Sequence, residues 1–254
     1  MDEIGRHEVI AMHHARRHEG ASPASANRLL IMMRYIYNLA IKWGIPGVKV
    51  NPASGVRLLE ENNKRERFLS KVEVQRLYDC LLCSENRILQ YIVPMLIYTG
   101  ARRREVLTAR WEDINLDTMS WRIPISKSGK ARHVPLSNAV IELLRKVPRL
   151  KECPYVFANP NTHKPYVSIF YSWDTVRRNA GIPDVRIHDL RHSFASFLIN
   201  AGRSLYEVQR ILGHAQITTT QRYAHLSSET LLDAVNEVVK LSGLSGMGGT
   251  SAST

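Results

Sequence analysis

The stretch 188-HDLRHSFASFLINAGRSLYEVQRILGHAQITTTQRYAHL-226 carries three readable units. The first, 188–202, has helical periodicity and closes on Gly202. The second, 204–213, opens with a capping box, in which Ser204 and Glu207 satisfy each other's backbone donors. The third, 218–226, is a short polar helix candidate bearing Tyr223. On a helix His188 and Arg191 share one face, with Cβ atoms about 5–6 Å apart. His214 follows Gly213 at a helix end, where an imidazole can donate to a phosphate oxygen or cap the helix on backbone carbonyls. A phenol has an unperturbed pKa of about 10, so Tyr223 as a nucleophile needs cationic neighbours or a base. Arg102, Arg191 and His188 could supply them. Core packing is the commoner fate of a tyrosine, and this chain has 10 of them.

Upstream, 99-TGARRRE-105 repeats the three-residue spacing in Arg102 and Glu105, at a helix start directly after the helix-ending Gly100. Two separated arginines at helix termini suit bidentate gripping of one phosphate, and a carboxylate such as Glu105 could orient one of them. As isolated surface ion pairs the same residues would be weak and commonplace. The segments 121-WRIPI-125 and 133-HVPL-136 read as short strands, placed at edges by their prolines. The turn between them, 126-SKSGKAR-132, holds Lys127, which could protonate a leaving oxygen if desolvated; Lys130 competes for that role.

The remaining pattern is mostly helical. A long helix is predicted over 22–46, capped by Ser22 with Pro23 at its first position. Its apolar face is predicted at Leu29, Met33, Ile36, Ala40 and Trp43. Residues 51–68 lose periodicity and read as a charged linker. A capping box at Ser70 and Glu73 opens a helix through Cys83. Another runs over 87–100 with a kink at Pro94, and a third over 102–111. Further helices are predicted near 138–147, 168–180 and 228–241, and 242–254 as a disordered Gly/Ser/Thr-rich tail. The fold class is mainly α with a small antiparallel β-sheet (α+β). The domain division is a helical domain over 1–59, a linker over 60–67 and a larger domain over 68–241.

A formal charge of +12 and pI near 9.8 favour a polyanionic partner, nucleic acid ahead of an anionic membrane surface. No signal peptide and no membrane-spanning run is legible. The three cysteines cannot all pair within the chain, which suits a reducing, cytoplasmic setting. Cys80 and Cys83 form C-x-x-C inside a helical pattern, and with only Cys153 besides they read as core residues rather than zinc ligands.

Read together, 99-TGARRREVL-107, 126-SKSGKARHVPLS-137, 188-HDLRHSFASFLINAG-202 and 211-ILGHAQITTTQRYAHLS-227 resemble, in order and spacing, the signature boxes of the tyrosine recombinase (phage integrase) family. Residues 68–241 resemble its catalytic domain. Residues 2–59, with 26-ANRLLIMMRYIYNLAIKWG-44 and 51-NPASGV-56, resemble part of its helical core-binding domain; the amino-terminal arm-binding domain has no counterpart here. The resemblance implies that Arg102 and Arg191 hold the scissile phosphate and that Glu105 supports them. It implies Lys127 as general acid, His188 assisting proton transfer at the tyrosine, His214 on the phosphate and Tyr223 as nucleophile. It also implies DNA contacts from Arg28, Arg34, Lys42, Arg103, Arg104, Lys130 and Arg132. The expected chemistry is strand cleavage and rejoining through a 3′-phosphotyrosyl bond, without metal, ATP or other cofactor. The expected partners are double-stranded DNA, three further copies in a homotetramer on synapsed sites (a monomer when free) and DNA-bending accessory proteins, in a prokaryotic cytoplasm or nucleoid. Two alternatives explain part of the pattern: a non-catalytic helix–turn–helix-like DNA-binding protein, and a type IB topoisomerase-like enzyme that nicks and reseals one duplex.

Overall fold

The computed structural model describes residues 4–61, 66–124, 131–214 and 216–224. Lys127, Lys130, the helix expected over 228–241 and the tail 242–254 lie outside the described residues. The chain divides into two units, Met1–Glu66 and Arg67–Thr254.

In the first unit, helix α1 (Arg6–His18) precedes α2 (Pro23–Lys42). The Ser22 hydroxyl accepts from the Ser25 amide, and Pro23 occupies the first turn, where its missing N–H costs nothing. Helix α1 was not expected, because its pattern is dominated by His and Arg. It is held by Val9 packing with Leu30, Ala53 and Val56, and by a buried bond from His13 Nε2 to Asn27 Oδ1 at 3.1 Å. The buried face of α2 is Ala26, Leu30, Tyr37 and Ala40, rotated from the predicted one; Ile36 is exposed and Trp43 is 68% exposed. The series 26, 30, 33, 37 and 40 has the same helical period, and it is the one that meets α1 and the following loop. That loop, residues 51–59, is a packed part of this unit rather than linker. Asn51 donates to Arg34 O (2.9 Å) and Asn38 Oδ1 (2.7 Å), and Asn27 pairs with both backbone groups of Leu59 at 2.8 Å. Side-chain-to-backbone bonds of this kind order a segment without leaving hydrophobic periodicity.

The second unit is built on α3 (Lys71–Leu82), α4 (Leu89–Thr99), α5 (Arg103–Leu107), α6 (Asn138–Lys146), α7 (Phe170–Asn179), α8 (Asp189–Asn200), α9 (Leu205–Leu212) and α10 (Thr218–Gln221). The capping boxes expected at Ser70/Glu73 and Ser204/Glu207 both form. Helix α4 is buried nearly all round, so it forms the centre of the core, and each of its large apolar side chains contributes roughly 1.5–3 kcal/mol. Pro94 lies inside it without ending it. Helix α5 stops at Leu107, short of the expected 111; a 3-10 turn, Trp111–Asp113, follows.

The sheet has three antiparallel strands in the order β1 (Ile114–Asn115), β2 (Ser120–Ile123), β3 (Arg132–Pro135). The two-residue β1 was not expected, and it makes β2 the central strand. Pro124 lies just beyond the last paired residue, so it breaks no ladder bond. Trp121 pairs with Val134 and Ile123 with Arg132; Trp121, Ile123 and Val134 face the core. Among the cysteines only Cys153 is buried, and Cys83 is exposed, because it caps the C-terminal end of α3 instead of facing its core side. Among the described residues no helix is long and apolar enough to cross a membrane.

Candidate active site

Two left-handed glycines shape the site. Gly100 ends α4 at φ 60° and Gly213 ends α9 at φ 66°, a backbone region that a Cβ disfavours. Space excludes a side chain as well. A Cβ at Gly100 would lie 2.3 Å from the Phe194 ring, and one at Gly213 would lie 2.5 Å from Arg132 Cδ.

The helix ends so formed present carbonyls to Arg191, which is 4% exposed in the first turn of α8. Its Nη1 donates to Gly100 O at 2.6 Å and its Nη2 to Leu212 O at 2.7 Å. The partial negative charge at helix C-termini suits a guanidinium, and two of its five N–H groups are used this way. Burial, then repulsion from Arg102 and Arg132, pushes Arg191 down to about 9. It stays charged at neutral pH, in a place that favours an arriving anion.

Arg102 is the N-cap of α5. Its amide donates to Glu105 Oε2 at 2.7 Å and its Nη1 to Glu105 Oε1 at 2.9 Å. The opposite edge of that carboxylate is gripped by Arg132, whose two terminal nitrogens each lie 2.8 Å from a Glu105 oxygen. Arg132 was expected as a surface DNA contact. The structure turns it inward, 11% exposed against a Glu105 side chain that is 9% exposed, because β3 begins there and points it at the N-terminus of α5. Two guanidiniums thus hold one carboxylate. Burial raises the Glu105 carboxyl, but the bonds from Arg132 and from the Arg102 amide outweigh it and hold the group at about 2.

A stability test follows. A carboxyl lowered from 4.5 to about 2 contributes roughly 3 kcal/mol. That contribution is complete above pH 4.5 and is lost as pH falls towards 2. Glu105→Gln should therefore lose roughly that amount at pH 7 in denaturant unfolding, with the gap to wild type closing in acid. A gap independent of pH would contradict the assignment.

His214 Nδ1 lies 2.8 Å from the hydroxyl of Thr220, which is fully buried. If Thr220 donates, the ring proton rests on Nε2, free to donate to a phosphate. The ring is a side-chain partner of α10, not a cap on backbone carbonyls. Burial, then the charges of Arg191 and Arg102, lowers it to about 3, so it is neutral at pH 7.

Tyr223, just beyond α10, is 2% exposed. Its ring packs with Ala195, Ile199, Val208, Leu212 and Phe68, next to the same Leu212 whose carbonyl holds Arg191. The hydroxyl meets His192 Nδ1 at 2.5 Å, not His188 as the family resemblance implied. Burial raises the phenol, and the charges of Arg222 and Arg191 only partly offset this; the hydroxyl is protonated at neutral pH and is the donor. His192 stacks edge to face on His188 with ring centroids 4.8 Å apart. His188 itself is on the exposed rim.

The sequence reading missed His192. Its signal was present: in HDLRH the second histidine lies four residues after the first, and a helix places residues three and four apart on the same face. Arg103 and Arg104 are exposed on the first turn of α5, and Arg28 and Lys42 are exposed on α2. Arg34, expected as a DNA contact, instead donates to Ala53 O (3.2 Å) and Val56 O (2.9 Å), which ties the 51–59 loop to α2. Among the described residues no group of three or more His, Cys, Asp or Glu side chains could hold a metal.

Two arginines from separate parts of the chain and a histidine-bonded tyrosine thus lie together on a mostly helical domain with one small sheet. Residues 67–230 match the Phage integrase family. A tyrosine recombinase of Thermosipho africanus (strain TCF52B) is 32% identical over 192 residues, 74% of this chain and 67% of that protein. The integrase of Salmonella phage P22 is 29% identical over 203 residues, 75% of this chain but 51% of its own length, so the chain spans about half of that relative. The Tn1549 transposon integrase, solved with a circular intermediate DNA, has the same fold. Its TM-score is 0.75 at 16% identity, over 92% of this chain and 86% of that one. The chain belongs to the phage integrase family, the tyrosine recombinases of site-specific DNA recombination.

Proposed function

We propose that this chain cleaves and rejoins double-stranded DNA at specific sites, in integration or excision of mobile DNA, with Tyr223 as nucleophile. The observation that carries this reading is the meeting of Arg102 and Arg191, 89 residues apart in sequence, at the ends of α4, α5 and α9, beside the Tyr223 ring. The free N–H groups of the two guanidiniums and Nε2 of His214 bind the non-bridging oxygens of a phosphodiester, and their charge stabilises the pentacoordinate transition state. The Tyr223 oxygen bonds to phosphorus as the bond to the 5′ oxygen breaks. The departing oxygen takes a proton from a general acid, the role assigned to Lys127. The 3′-phosphotyrosyl bond keeps the ester energy, so a 5′-hydroxyl can reverse the step on the same or another duplex. Arg28, Lys42, Arg103 and Arg104 lie along the DNA backbone, and four copies act together on synapsed sites.

The test is incubation with a nicked duplex carrying the recognition site, in the presence of EDTA, with protein–DNA adducts resolved on denaturing gels. A covalent adduct is expected at undiminished yield in EDTA, because the guanidiniums supply the charge that a metal would bring. Strict dependence on added magnesium would overturn the metal-free mechanism, and tight site binding without any adduct would favour the non-catalytic alternative.

A further inference from the structure

We propose that His192 is a catalytic residue, the base that takes the Tyr223 phenolic proton as the tyrosine attacks phosphorus and returns it when a 5′-hydroxyl displaces the tyrosine. The inference rests on the reading of Tyr223 as nucleophile, and it departs from the role expected for His188. Its ground is geometric: His192 Nδ1 is the group bonded to the Tyr223 hydroxyl, at 2.5 Å, with ring centroids 5.8 Å apart. His188 meets the face or edge of the His192 ring and positions it.

In balance, the phenolic oxygen forms its bond to phosphorus, the phosphorus–O5′ bond breaks, and the phenolic proton moves to Nδ1. The resulting imidazolium keeps its second proton on Nε2. In rejoining, every one of these transfers runs backwards.

The surroundings make the base conditional on substrate. The charged and titratable groups facing His192 are His188, Asp189 and Arg191 on or before α8, Arg222 beside α10 and His214 after α9. Burial, then His188 and Arg222, holds the imidazole at about 4, so with the anion site empty the proton stays on the tyrosine. A phosphodiester between Arg102 and Arg191 introduces a negative charge next to the ring and offsets that cationic field. The nucleophile is thereby activated where its target phosphorus is already in place.

The informative variant is His192→Asn, whose Oδ1 falls near the position of Nδ1. It can accept the tyrosine hydrogen bond but cannot hold the proton. Single-turnover cleavage of the nicked site duplex should fall by about 10²–10⁴-fold at pH 7, with site binding and unfolding temperature near wild type. The decisive readout is the pH profile. Without a base the reactive species is free tyrosinate, so the variant's rate should climb about tenfold per pH unit from pH 7 to 9, while the wild-type rate stays nearly flat. A variant as fast as wild type, or one slowed with a profile parallel to wild type, would overturn the proposal, the second outcome assigning His192 a structural role only. Tyr223→Phe run alongside separates the two layers. An adduct surviving that change defeats the reading of the nucleophile, whereas its loss together with a fast His192→Asn defeats only the assignment of the base.

Discussion

Tyr223→Phe should form no covalent protein–DNA adduct while binding a site-containing duplex with an affinity within about twofold of wild type. The change removes one oxygen, whose hydrogen-bond partner is His192. The ring remains among Ala195, Val208, Leu212 and Phe68, so packing is kept. What is lost is one hydrogen bond, worth about 1 kcal/mol, and the whole of the nucleophilic chemistry. The effect on cleavage is therefore all or none, and the effect on stability is small. Trapping on a nicked substrate measures the first and thermal unfolding the second. Substantial destabilisation with residual adduct would mean that Tyr223 is core alone, the commoner fate of a tyrosine.

Arg191→Met separates function from stability in a different way. The guanidinium is buried, and burial together with Arg102 and Arg132 works against its charge. A base lowered in the folded state costs stability at every pH below its folded value of about 9, and the cost fades as pH rises above it. Removing the charge relieves this. Against it stands the loss of donors to Gly100 O and Leu212 O, at about 1–3 kcal/mol for each carbonyl left unsatisfied. The two effects oppose, so stability at pH 7 should move by only about 1–2 kcal/mol. Cleavage should fall by about 10²–10³-fold or more, as when a preorganised donor to a developing oxyanion is deleted. Sulfate or phosphate should also raise the unfolding temperature of the wild type and not of the variant. A loss above about 4 kcal/mol, with the anion effect intact, would make Arg191 a structural residue.

Much of this was legible in the sequence, and the reasons differ between parts. Helix starts with reciprocal Ser–Glu caps, the glycines that close α4 and α9, and the alternation of Trp121, Ile123 and Val134 in the sheet are local signals. They gave the mostly helical fold with one small antiparallel sheet, which the family's solved structures share. Signals that depend on tertiary partners were not legible. Helix α1 coheres through His13 and Asn27, a polar contact that periodicity does not register. The face of α2 could not be chosen between two equally spaced series until α1 and the 51–59 loop were placed. Arg132 looks like any basic turn residue until Glu105, 27 positions earlier, takes both of its terminal nitrogens. His192 was overshadowed by His188, because the three-residue spacing to Arg191 drew the reading and the four-residue spacing between the histidines did not. The Cys80–Cys83 pair shows the limit of pattern alone, since the end of α3 leaves Cys83 in solvent.

The central claim is that one particular oxygen, on Tyr223, becomes bonded to DNA. Trypsin digestion of the adduct trapped on a nicked duplex, followed by mass spectrometry of the nucleotide-bearing peptide, tests it most directly. Cleavage after Arg222 and Lys240 isolates residues 223–240, a peptide with a single tyrosine. The mass of a nucleotide phosphate on Tyr223 is the expected result; the same mass on any other residue, or no modified peptide from an adduct that forms, would contradict the account.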